Sequence, residues 1–229
     1  MPSHGRSLAC AVGVIGAALT ACGSAPPAAQ PLLQQTSDRM AHLKGFHFRM
    51  VITGYTGTGE PVQTAEGEAH PPDLHARVNL RESSFLVEVE VIFSGTDVYL
   101  KSLTGGWQRL TQAQVSQFFD ARTLFDKQAG LFPAMRETQS PRVGTQESVD
   151  GHDTYPVSGS IPAPRMHQLL ALIRDQGSYR ATYWIESPAN TLWRAQLTGN
   201  LFDPARAATV TFDFSNHDQP ISVSAPPLG

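Results

Sequence analysis

The chain has 229 residues, of which 41% are hydrophobic and 16% charged, with a formal net charge of -3. Scattered Lys and Arg make no basic patch, which disfavours a nucleic-acid partner, and the length suits one domain with one core. Cys10 and Cys22, the two cysteines, both lie near the N-terminus, so the rest of the chain cannot be a cysteine-stapled module.

Arg6, an apolar run over residues 8–19 and the sequence Leu19-Thr20-Ala21-Cys22-Gly23 follow one another in the order of a bacterial lipoprotein signal. The apolar run is too short to span a bilayer. Cleavage is expected between Ala21 and Cys22, with Cys10 removed and the Cys22 sulfur carrying lipid. The expected division is a signal peptide over 1–21, a lipidated N-terminus and tether over 22–31, and a folded domain over 32–229. Pro and Ala crowd the tether without apolar periodicity. No later segment is apolar for long enough to cross a membrane. These features point to a protein held by Cys22 on the extracytoplasmic face of the cell membrane.

Leu32, Leu33, Met40 and Leu43 predict a helix over 32–43. The period then changes to two: Phe46, Phe48, Met50 and Ile52 share one face of a strand, and Gly54, Gly57 and Gly59 mark a turn region. Strands are predicted at 62–69 and 75–80 around Pro71-Pro72-Asp73. The clearest strand follows, with Phe85, Val87, Val89, Val91 and Phe93 on one side and Glu88 and Glu90 on the other. Short strands at 98–101 and 107–110 complete a meander. Helical spacing returns at Val115, Phe118 and Phe119, then at Leu124, Phe125, Leu131, Phe132 and Met135, broken by Gly130 and Pro133. Strands are predicted at 142–149 and 154–160 around an Asp150-Gly151-His152-Asp153 hairpin. A helix at 164–173 begins with Pro164, and strands at 179–186, 192–198, 209–213 and 221–224 close the chain. The sum is an α+β domain: a large curved antiparallel sheet whose apolar concave face is covered by the few available helices, leaving room for an apolar guest.

Other constellations are weaker. His70, Asp73 and His75 are metal-ligand types, but they flank a turn and no matching pair recurs. His152 and Asp153 have no nearby nucleophile and no Gly-x-Ser-x-Gly accompanies them. Glu88 and Glu90 share a strand face that suits solvent. No metal, cofactor or catalytic residue is therefore assigned, and an enzyme is not expected.

The lipidation sequence at Cys22, Phe46-His47-Phe48-Arg49, Ala65-Glu66-Gly67-Glu68 before Pro71-Pro72-Asp73, Val149-Asp150-Gly151-His152-Asp153-Thr154, Trp184-Ile185-Glu186, Leu192-Trp193-Arg194 and Gln219-Pro220-Ile221 together resemble the LppX/LprAFG lipoproteins. The resemblance implies a half-barrel similar to the Lol carriers, with a hydrophobic cavity under helices. It also implies an acylated lipid, glycolipid or lipoglycan as ligand, carried or presented in the envelope, with a membrane transporter as candidate partner. By facing, the expected cavity wall is Phe46, Phe48, Met50, Val87, Val89, Val91 and Phe93. The expected lid is Leu124, Phe125, Leu131, Phe132, Leu169 and Leu172. The alternative from a different class is a lipoprotein sensor or scaffold that binds a protein partner through the same fold.

Overall fold

The computed structural model describes residues 26–55, 62–82, 85–102, 105–111, 114 and 121–228. The predicted signal peptide, Ala21 and Cys22 lie outside them, as do Gly57, Gly59, Val115, Phe118 and Phe119. Helix α1 (Ala29–Ala41) starts within the predicted tether. Its first turn tolerates Pro31, which occupies a position whose N–H has no intrahelical partner. The helix buries one stripe, Leu32, Leu33, Thr36, Ser37 and Met40.

Six strands follow: β1 (Phe46–Thr53), β2 (Val62–His70), β3 (Asp73–Glu82), β4 (Phe85–Ser94), β5 (Asp97–Lys101) and β6 (Trp107–Leu110). Two short helices, α2 (Ala121–Leu124) and α3 (Leu131–Ala134), lead through a 3-10 turn (Met135–Glu137) into β7 (Gln139–Val143), β8 (Glu147–Val149) and β9 (His152–Pro162). Helix α4 (Ala163–Leu169) crosses to β10 (Ser178–Glu186), β11 (Thr191–Asp203) and β12 (Arg206–Ser215). Among the predicted boundaries that shift, three change an element. The strand expected over 142–149 is two strands, β7 and β8. The last helix stops at Leu169, because Leu170 adopts extended backbone. Residues 221–224 form no strand.

The strands form a single antiparallel sheet in the order β6-β5-β4-β3-β2-β1-β12-β11-β10-β9-β7, with β8 on β9. The end strands β6 and β7 do not pair with each other, so the sheet stays an open half-barrel. Pairing of β1 with β12, the first and last strands, joins two meanders. Its register aligns one apolar row across the sheet: Val89, Val78, Ala65, Met50, Phe212, Ala195, Tyr183, Val157 and Val143. The neighbouring row, on the opposite face by strand alternation, reads Lys101, Glu90, Arg77, Glu66, Arg49, Asp213 and Arg194. Opposite charges thus stand side by side along the convex surface.

Geometry demands glycine at positions that include Gly67 and Gly151. At Gly67 a Cβ would sit 2.0 Å from the His75 carbonyl oxygen and 2.7 Å from the Ala76 Cα, so only glycine lets β2 approach β3 this closely. At the β8–β9 hairpin, Asp150 and Gly151 have φ of 50° and 87°, the paired positive values of a tight two-residue turn. His152 and Asp153 consequently belong to β9 rather than to the hairpin tip.

Candidate functional site

The concave face is roofed on the β9–β12 side by short pieces. The loop into α3 is shaped by Asp126, whose carboxylate accepts the backbone N–H groups of Gln128 (2.9 Å) and Ala129 (2.6 Å); these bonds hold its pKa below the usual carboxylate range. The Asp126 carbonyl then accepts the Gly130 N–H at 2.8 Å. Arg165 on α4 pairs with Glu137 and donates to the Ala129 carbonyl at 2.6 Å. One guanidinium therefore fastens α4 to both ends of the α3 segment. On the other side Arg136 pairs with Asp38 of α1, and the Gln30 amide donates to the Arg136 carbonyl at 3.4 Å.

Between this roof and the sheet lies an apolar cavity of about 40 Å³. Leu131, Phe132, Ala134, Met135, Met166, Leu170 and Ile173 line it above, and Ile161, Ala181, Tyr183, Leu192, Ala195, Gln196, Leu197, Val210, Phe212 and Phe214 below. Leu192 and Ala195 are an odd number of residues apart, yet both face the cavity. The ladder explains this: Ile185 pairs with Leu192 and Trp184 with Arg194, leaving Trp193 as a bulged residue that resets the alternation. Among the titratable lining groups is Tyr183. Its hydroxyl accepts from Thr138 Oγ1 at 3.2 Å, and burial pushes its pKa up to about 12, so it stays neutral at any physiological pH. The cavity is large enough to admit water, but such a lining offers water few partners and favours hydrocarbon.

The expected wall and lid residues fall into three groups. Leu131 and Phe132 line the cavity. Phe46 is buried beside it, edge-on to Phe125, Phe132 and Phe214 at 5.8, 5.6 and 5.8 Å. Phe48, Phe93, Leu124 and Leu169 belong to the same buried core, and Met50, Val91 and Phe125 pack against it. Val87 and Val89 share the concave face by register but are only half-buried, and Leu172 is half-buried while its neighbour Ile173 reaches the cavity. Sequence reasoning missed the floor from β9 to β12. Its signal was present in the alternation of Ala181, Tyr183 and Ile185 and of Val210, Phe212 and Phe214; the side of the sheet on which the roof closes was not.

Of the remaining candidates, Asp73, His75, Glu90 and His152 have structural partners. The Asp73 carboxylate accepts the Gly95 N–H at 2.8 Å, and His75 Nε2 meets Glu90 Oε1 at 2.7 Å. His152 stacks on Trp193 with ring centroids 3.4 Å apart. Among the described residues no helix is long and apolar enough to cross a membrane.

A half-barrel of this topology with an apolar, helix-roofed concavity has relatives, and the LppX_LprAFG lipoprotein family model matches residues 28–223. The chain belongs to the LppX/LprAFG lipoprotein family. A family relative, the lipoarabinomannan carrier protein LprG of Mycobacterium tuberculosis, is 22% identical over 98% of this chain and 97% of its own length. Two solved LppX/LprAFG structures share the fold. LprF from Mycobacterium bovis superposes with a TM-score of 0.72 at 22% identity, covering 89% of this chain and 99% of its own. LppX from Mycobacterium tuberculosis gives 0.62 at 18% identity over 85% and 97%.

Proposed function

We propose that this chain is a lipoprotein, anchored through Cys22 on the extracytoplasmic face of the cell membrane, that binds an acylated lipid or lipoglycan between its roof and its sheet and carries or presents it in the envelope. The observation that carries this reading is the apolar cavity roofed by short helices. The name of LprG, a lipoarabinomannan carrier, supports the ligand class. Burying a long acyl chain is worth roughly 0.8 kcal/mol per methylene, on the order of 10 kcal/mol per chain before ordering costs. That gain needs area and dryness rather than catalytic groups, and no enzyme chemistry is proposed.

A cavity of about 40 Å³ cannot hold such a chain; ligand pockets run to roughly 300 Å³ or more. In the proposed cycle the roof lifts, and the space grows along the concave rows toward Phe46, Phe48, Met50, Val91 and Phe93, with Val87 and Val89 at the far side and Leu124, Phe125, Leu169 and Leu172 moving with the roof. The small size of the cavity also favours a second reading, in which the half-barrel is a sensor or scaffold for a protein partner and never fills.

The full-length chain, isolated from its membrane in mild detergent and washed free of loose lipid, separates the two. Organic extraction and mass spectrometry are expected to recover about one acylated lipid per chain. Ala195→Trp, which fills the cavity from the floor, is expected to keep the fold by circular dichroism and lose at least tenfold of that lipid. A wild-type chain with no bound lipid and no uptake from vesicles of phosphatidylcholine overturns the carrier reading in favour of the scaffold.

A further inference from the structure

The inward face of α1 carries two groups that its packing leaves unexplained. That face packs on α3, the 3-10 turn, β7 and β11. Within it Thr36 and Ser37 are wholly buried, and neither hydroxyl has a hydrogen-bond partner among the described residues. A hydroxyl inside a helix ordinarily bonds the carbonyl one turn back; here neither buried hydroxyl does so, which native proteins rarely tolerate without a reason. The segment beneath α1 is Leu131–Glu137, a single helical turn and a 3-10 turn, and its Leu131, Phe132, Ala134 and Met135 form part of the cavity roof. That segment thus packs against α1 and also lines the cavity. Its ties to α1 include the Asp38–Arg136 pair and the Gln30 amide.

We infer that the seam between α1 and Leu131–Glu137 is the port through which a lipid enters, and that Thr36 and Ser37 then donate hydrogen bonds to the ester carbonyls at the head of its acyl chains. This inference rests on the lipid-binding reading. The cavity lining suits methylenes, whereas an ester oxygen only accepts and needs a donor where the chain leaves the cavity. Adjacent positions on a helix point about 100° apart, so the two hydroxyls serve two carbonyls, as in a lipid with two ester-linked chains. An ether-linked lipid of equal length fills the same cavity but lacks the carbonyls, leaving the donors only the less exposed ether oxygens.

The test uses the full-length chain in mild detergent, incubated with a diester phosphatidylcholine or its diether analogue of the same chain length, with binding read by native mass spectrometry and melting by circular dichroism. Wild type is expected to bind the diester at least tenfold more tightly. Thr36→Val combined with Ser37→Ala is expected to melt at the same or a higher temperature and to bind both lipids at the diether level; Ser37→Ala alone is expected to lose part of the preference. Asp38→Asn, which loosens the outer clasp, is expected to speed uptake severalfold with the diester preference intact. A wild type that binds both lipids equally, a double variant that keeps the preference, or an unchanged uptake rate in Asp38→Asn overturns the inference while leaving lipid binding in place. A wild type that binds neither lipid overturns the lipid-binding reading as well.

Discussion

His217 stands just beyond the end of β12, its Nε2–H donating to the Leu192 carbonyl at 3.0 Å and its ring edge-on to Trp193 at 4.8 Å. Burial lowers its pKa below 6.5; Arg39 and His152 push the same way, while the Leu192 carbonyl and Asp218 push back. The folded state thus holds this imidazole neutral at pH values where the unfolded chain has begun to protonate it. Well above pH 6.5 both states are neutral and the group has no effect. As pH falls from about 6.5 toward the lowered folded value, the unfolded chain gains protons first and stability drops. His217→Gln is expected to flatten the decline in melting temperature between pH 7 and pH 5, as measured by calorimetry across that range. An equally steep decline in the variant assigns the acid sensitivity to other groups.

At the scale of elements, legibility followed the range of the interaction. Period-two alternation in 46–52 and 85–93 needs only the local chain, and those residues are β1 and β4. The Asp150-Gly151 turn was equally local, since its positive φ values select those residue types. The half of the sheet beneath the roof depends on β1 joining β12 and on α3 and α4 folding back over β9 to β12. Those are contacts between distant residues, and no periodicity records them. The Trp193 bulge, which brings Leu192 and Ala195 to the same side, is likewise a property of pairing with β10. Gly67 tests the pairing of β2 with β3 directly. Gly67→Ala places a methyl against backbone atoms that cannot swing aside. It is expected to lower the stability of the sheet by about 3 kcal/mol, read as a shifted guanidinium midpoint. A loss under about 0.5 kcal/mol, the usual range for a neutral surface change, would mean that the two strands separate without cost.

The whole molecule divides into a framework and a cover of different stability. Every strand of the framework is tied into one continuous ladder, with a charge-alternating row outside and an apolar row within. The cover consists of a four-residue and a seven-residue helix joined through Arg165 and its partners, and exposed ion pairs such as Asp38–Arg136 add only about 0–1 kcal/mol each. Opening the cover breaks no strand pairing, so its free energy should lie well below that of global unfolding. A lipid that fills the opened space would offset the lost contacts between α3, α4 and the floor and bind the cover from below. Hydrogen exchange on the full-length chain is the direct measurement. In the lipid-free protein, amides of α3 and α4 are expected to exchange at least a hundredfold faster than those of β10, β11 and β12, and saturation with a diester phosphatidylcholine is expected to slow α3 and α4 while leaving the strands unchanged. If the cover exchanges only together with the sheet, in one cooperative event, then roof and framework open as a single body. Lipid entry by a lifting cover would then be ruled out, whatever lipid the protein retains.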